Sequence, residues 1–215
     1  MTRLLSVGAA MAVVVSFTGC GLLPFGGGGS SFKPDHVYDS AFAGDLADAK
    51  VGRSVTYLME PGGMKTTVKV IGKDGDAVLV ETWMESANMT YGTLFKVGSD
   101  RKVTEAYAAA KDDKEWTKIA VKETPKADAA NQPKPEIKES DEKKDVKAGS
   151  FSAHRIDMKG SNWSSTAWYS KDVYKLHMAS PEHGGLVATE AGGSKTTLEA
   201  KADDAKPSAL EMPKK

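Results

Sequence analysis

The chain has 215 residues, 40% of them hydrophobic and 27% charged, enough for one ordinary domain with additional segments. Twenty-nine basic residues balance 29 acidic ones, so the basic excess typical of nucleic-acid binders is missing and no nucleic-acid partner is expected. One cysteine excludes a disulfide framework and a thiolate metal cluster within a single chain.

The chain opens with one basic residue, Arg3, followed by an apolar run from Leu4 to Phe17 that ends in Phe17-Thr18-Gly19-Cys20. A short positive end, an apolar core and small residues at a cut site form an export signal rather than a fold element. With the cysteine directly behind the small residues, the arrangement resembles the lipobox of bacterial lipoproteins, although Phe17 stands where leucine is usual. The resemblance implies cleavage after residue 19. Cys20 then becomes the first residue and carries diacylglycerol and an acyl chain, a covalent lipid anchor and not a cofactor. Gly21 in place of Asp implies, by the same resemblance, sorting to the outer membrane, facing the periplasm. Two plainer readings remain open. The uncharged stretch continues to Phe25 and is long enough to span a bilayer uncleaved, but Gly8, Gly19, Gly21 and Pro24 weaken such a helix. The other is a free thiol behind an ordinary secretory signal.

Residues 20–34 contain Gly26-Gly27-Gly28-Gly29-Ser30-Ser31, the composition of a flexible tether. No Gly-Lys-Ser/Thr follows the glycines, so they are not a phosphate loop. A β-rich domain is expected over 35–202. It begins with a predicted helix over Asp35–Lys50, where Asp35 caps and Val37, Ala41 and Leu46 lie near one face. From Val51 the pattern alternates with the period of a half-buried strand. Val55, Tyr57 and Met59 point one way, Pro61-Gly62-Gly63 turns the chain, and Met64 to Val70 alternate again. Gly72-Lys73-Asp74-Gly75 reads as a hairpin turn, and Ala77–Met84 as the returning central strand. Further strands are predicted over Tyr91–Val97, Arg101–Ala109, Glu115–Val121, Phe151–Met158, Ser164–Tyr169, Tyr174–Met178, Leu186–Glu190 and Lys195–Ala200. The three alanines at 108–110 suit a helix equally well. Many short strands separated by glycines predict a meandering antiparallel sheet.

Between 122 and 147 the composition shifts to seven lysines, seven acids and three prolines with no aromatic residue. Such a mixture buries too little surface to offset ordering, which predicts a flexible insert. The tail 203–215 reads as loose for the same reason.

Two groups of residues carry a second resemblance. One is Val51-Gly52-Arg53-Ser54-Val55-Thr56-Tyr57 with Val70-Ile71-Gly72-Lys73-Asp74-Gly75 and Val80-Glu81. The other is Val146-Lys147-Ala148-Gly149-Ser150-Phe151 with Trp168-Tyr169-Ser170 and Gly185-Leu186-Val187. These are similar to uncharacterised bacterial envelope proteins related in shape to the LolA/LolB lipoprotein carriers. The resemblance implies a mainly β fold: a single strongly bent antiparallel sheet, or half-barrel, with one or two short helices. In that family shape the sheet holds an apolar cavity against a helix, which suits acyl chains, but fold alone does not establish the function.

Chemistry is sparse. Of the four histidines, His177 and His183 lie six apart near Glu182 and could meet as metal ligands. Without H-E-x-x-H spacing they read as ordinary surface histidines, and no metal or catalytic residue is assigned. Ser30-Ser31-Phe32-Lys33 and Ser99-Asp100-Arg101-Lys102 match S-x-x-K by chance, one in the tether and one in a turn. Asp112-Asp113 and Asp203-Asp204 fall in exposed runs unsuited to a poised acid/base pair. Trp163, Trp168, Tyr169 and Tyr174 are read chiefly as core and rim, and alternatively as a hydrophobic or glycan-binding surface. The expectation is a lipid-anchored, non-enzymatic envelope protein binding an apolar ligand or an envelope partner. A structural or surface-exposed lipoprotein without ligand, and an envelope hydrolase, are the alternatives.

Overall fold

The computed structural model describes residues 34–125 and 134–212. The signal, Cys20 and the glycine tether lie outside them. Twelve strands follow in chain order: β1 (His36–Tyr38), β2 (Ser54–Glu60), β3 (Met64–Asp74), β4 (Ala77–Glu85), β5 (Thr90–Val97), β6 (Val103–Ala110), β7 (Thr117–Lys122), β8 (Glu136–Val146), β9 (Gly149–Lys159), β10 (Ser164–Ser170), β11 (Gly185–Ala191) and β12 (Ser194–Ala202). All belong to one sheet of order β1-β7-β6-β5-β4-β3-β2-β12-β11-β10-β9-β8. Neighbours are antiparallel, except that β1 lies parallel to β7 along the edge.

The alternation of small and branched apolar residues builds the core directly. Val70 pairs with Val80, Val80 with Phe95, Phe95 with Ala106 and Ala106 with Ile119. Directly opposed residues share a face, so these five form one apolar stripe across β3 to β7. Val70, Val80 and Ala106 are completely buried. At the first hairpin β3 runs on through Gly72 and Lys73 to Asp74. The turn is thus Gly75-Asp76, with Gly75 at φ 60°, where a side chain would be strained. The alanines at 108–110 are strand, not helix.

The sheet is bent as expected but not closed into a barrel. In a flat sheet β8 and β12, four places apart, would be separated by about 19 Å. Instead residues of β8 come within 8 Å of β11 and β12. The tip of the β8–β9 hairpin reaches back to β12, where the Ala148 N–H donates to the Leu198 carbonyl at 3.3 Å. Lys147 Nζ lies 2.5 Å from Glu199 there. One backbone hydrogen bond and an ion pair are not a ladder, so the curl remains an open seam.

Four expectations need correction. Residues 35–50 are not a helix: they hold β1 and a single 3-10 turn, Leu46–Asp48, whose Ala47 N–H is capped by Asp45 Oδ1 at 3.0 Å. His-Val-Tyr instead pairs with Ala120, Val121 and Lys122, covering the edge that β7 would otherwise expose. Gly44 packs tightly against the β10–β11 loop, where a Cβ would lie 2.5 Å from the Leu176 carbonyl oxygen. The insert 122–147 contains a long strand, β8, which pairs with β9 along its whole length; residues 126–133 are outside the described part. Of the tail 203–215, the described residues to 212 are not loose. They lie across the sheet face opposite the main core. Tyr174–Met178 is a packed loop rather than a strand.

Candidate functional site

The concave face is the place where the half-barrel resemblance would put a ligand. It is occupied by the chain itself. Phe42, from the segment between β1 and β2, and Val173 and Leu176, from the β10–β11 loop, are buried in the same cluster as Val55, Val68, Phe95, Phe151 and Leu186. Tyr57 is buried there and donates its hydroxyl hydrogen to the Leu186 carbonyl at 2.9 Å. The His177 ring lies 5.4 Å from the Tyr57 ring. Burial pushes His177 down to about 4 and the Tyr57 phenol far up, so both stay neutral at ordinary pH. Two surface depressions elsewhere, at Asp113–Thr117 with Glu211 and at Ser164–Thr166 with Glu190–Lys195, are shallow and lined mainly by polar groups.

The aromatic quartet does not assemble into a platform. Trp168 is buried beneath charge: its Nε1 donates to Glu142 Oε1 at 2.5 Å and Lys144 Nζ sits 3.3 Å above its ring. Tyr174 donates to Asp203 Oδ2 at 2.7 Å under the Arg53 guanidinium. Tyr169 is half-buried at the edge of the core. Trp163 is exposed and folds over Gly160, where any Cβ would strike its indole. Core and rim is what these residues are. Of the acidic pairs, Asp113 caps the turn after β6 through the Ala110 N–H, and Asp203 lies 3.3 Å from Arg53 Nε. Ser99 sits in the β5–β6 turn.

A group of residues of metal-ligating type converges where the β8–β9 hairpin meets the β10–β11 loop. Asp141 pairs directly with His154, so the two side chains stand on one face, and Glu139 is two residues along the same strand. Asp141 Oδ1 lies 2.8 Å from His154 Nδ1, and Glu139 Oε2 lies 3.3 Å from His154 Nε2. The His183 ring stacks on His154 with centroids 3.8 Å apart and 15° between planes. Glu139, His154 and His183 each offer a ligand atom within 4.8 Å of the others. His183 is held by a tight loop: Ser180 and Gly184 exchange backbone hydrogen bonds, and the His183 N–H donates to Ser180 Oγ at 3.2 Å. Gly184, at φ 105°, presses so closely on Ser170 that a Cβ would lie 2.1 Å from its carbonyl oxygen.

The meeting of His177 with His183, weighed from their spacing and set aside, is not what brings a histidine pair together: His177 packs on Tyr57. His183 meets His154, 29 positions earlier in the sequence. The missed signal was hairpin arithmetic. With the turn at Lys147-Ala148, counting backward and forward from Val146 and Gly149 sets Asp141 opposite His154.

No protein family model matches the chain, and no curated protein matches it. Among solved structures it is similar to a "putative exported protein with YmcC-like fold" from Bacteroides fragilis. The identity is 10%, with 71% of this chain and 96% of that one covered and a TM-score of 0.32.

Proposed function

We propose that this chain is a non-enzymatic, lipid-anchored envelope protein of the outer membrane, facing the periplasm, whose β domain works through its surface toward an envelope protein partner. The observation that carries the reading is the run Arg3, Leu4–Phe17 and Thr18-Gly19-Cys20 ahead of a glycine-rich stretch. Two or more acyl chains, at about 0.8 kcal/mol per buried methylene, hold a protein on a bilayer without help from its folded part. A coil of the composition of residues 20–34 spans about 20 Å, which lets the domain stand off the membrane. The filled concave face favours surface contacts over carriage of an apolar ligand. Taking up an acyl chain would require Leu176, Val173 and Phe42 to leave positions in which they are almost wholly buried.

The test is the intact mass of the protein extracted from bacterial membranes, beside a Cys20→Ser variant. The expected result is loss of residues 1–19, a diacylglycerol and an acyl chain on Cys20, and release of the variant from the membrane fraction. Wild-type protein that retains its first methionine and a free thiol overturns the anchor. Lipid retained by the Cys20→Ser variant under native mass spectrometry would restore the apolar-ligand reading.

A further inference from the structure

We infer that Glu139, His154 and His183 form a binding site for a divalent transition-metal ion of the zinc class, with Asp141 orienting His154. Both ring nitrogens of His154 face carboxylates, Asp141 at Nδ1 and Glu139 at Nε2. A neutral imidazole has one N–H and one lone pair. With Nδ1–H donating to Asp141, the Nε2 lone pair is aimed at a carboxylate oxygen, a contact that either a second ring proton or a bound cation between the two atoms relieves. The separation fits an ion. A tetrahedral zinc with bonds of about 2.0–2.1 Å keeps neighbouring ligand atoms about 3.3 Å apart, and Nε2 and Oε2 are 3.3 Å apart.

The rest of the site suits the same chemistry. Two imidazoles and a carboxylate are borderline ligands that favour zinc, copper or nickel over calcium or magnesium. A carboxylate on the far nitrogen of a ligating histidine fixes its tautomer and raises its basicity, which is the position Asp141 holds. Glu182, 3.8 Å from His183 Nε2, adds a third negative charge, so a divalent cation relieves mutual repulsion. His154 stands on a paired strand and His183 on a loop locked by Ser180, Gly184 and Ser170, so both ligands start from fixed backbone. One movement is required. Stacked rings have parallel planes, and in-plane lone pairs on parallel planes do not converge. The His183 ring turns about its own side-chain bonds, leaves the stack and brings its nitrogen onto the ion. The fourth position is left to water, because Glu139 is half-exposed and opens to solvent.

The test uses the purified full-length protein, stripped with chelator and titrated with zinc chloride in a calorimeter, with proton NMR of the histidine rings in parallel. The expected result is saturable uptake of one ion per chain, with shifts at His154 and His183 but none at His177, which packs on Tyr57. His183→Ala and Glu139→Gln should each weaken binding at least about tenfold, and Asp141→Asn about 10- to 100-fold. His36→Ala should leave it unchanged. His154→Ala tests the central ligand, and a melting curve without metal shows whether that variant is folded. His183→Ala lies on a loop, and the NMR shifts need no variant, so a folding failure at His154 does not shield the inference. It is overturned by the absence of saturable binding, by unaltered binding in His183→Ala, or by zinc shifts confined to other histidines.

Discussion

At His177 a single physical effect sets the behaviour of the residue. Burial among Tyr57 and the concave core moves the imidazole from 6.5 to about 4. The folded state therefore binds fewer protons than the unfolded chain between these values, and stability falls as pH drops through that window. The stabilisation is fully present above about pH 6.5 and gone below about pH 4, amounting to about 3 kcal/mol at 1.36 kcal/mol per unit. Glu105 is drawn down to about 2 by Lys118 and then Tyr107, and it releases its contribution at lower pH. In thermal melts across the window, His177→Gln should lose less stability on acidification than the wild type. Parallel loss in both proteins would show that the ring is not the group being titrated.

Among the elements, the segment after β12 changes most between sequence and structure. Residues 203–212 form a strap across the face opposite the main core. The Ala205 N–H donates to the Gly52 carbonyl, Lys206 accepts from Lys69 Nζ, and the Trp116 N–H donates to Glu211. Beneath the strap lies Glu81, fully buried, with Lys69 Nζ at 2.8 Å, the Trp83 indole N–H at 2.5 Å and the Ser208 N–H at 3.1 Å. A buried carboxylate is tolerable only when its partners are complete, and removing one side of such a pair typically destabilises by about 3–5 kcal/mol. Glu81→Ala should lose that much in denaturant unfolding, since it takes the counter-charge from Lys69 and the acceptor from the Trp83 indole and the Ser208 N–H. A chain ending at Asp204 should lose about 2 kcal/mol as Leu210 and the strap hydrogen bonds go, and it should red-shift the emission of Trp83. Unchanged unfolding of the truncated chain would mean that the strap does not hold this face. The same elements mark how far the sequence could be read. β2 to β7 and β9 to β12 were visible because their alternating side chains and glycine turns record burial. β8 was not: its residues are mostly exposed and charged, and it is held by its ladder with β9 rather than by an apolar face. The strap was hidden for a related reason, since it is fixed by backbone groups and a few side chains without any periodicity. Phe42 and Leu176 showed no pattern either, and only the folded sheet makes them neighbours.

On the scale of the whole molecule, the pairing of β2 with β12 joins the two halves of the chain. It makes one sheet of β1–β7 and β8–β12. Neither half has a complete core alone, because Phe42, Val173 and Leu176 pack in one cluster with residues of both. Separation would expose the facing edges of β2 and β12 together with the concave face. Unfolding should therefore be a single transition, and the tryptophans are placed to show it. Trp83 and Trp116 lie 5.8 Å apart on the strap face of the first half, while Trp168 sits in the curl of the second. A protein keeping only Trp83 and Trp116, with Trp163→Phe and Trp168→Phe, should share its denaturant midpoint with circular dichroism of the same protein. So should a protein keeping only Trp168. Leu198 is fully buried on β12, opposite Tyr57, and its carbonyl receives the hairpin tip. Leu198→Ala should lower stability by about 2–5 kcal/mol and move both reporters together. Displacement of the Trp168 signal alone would reveal β8–β12 as an independent unit and break the link between the two halves.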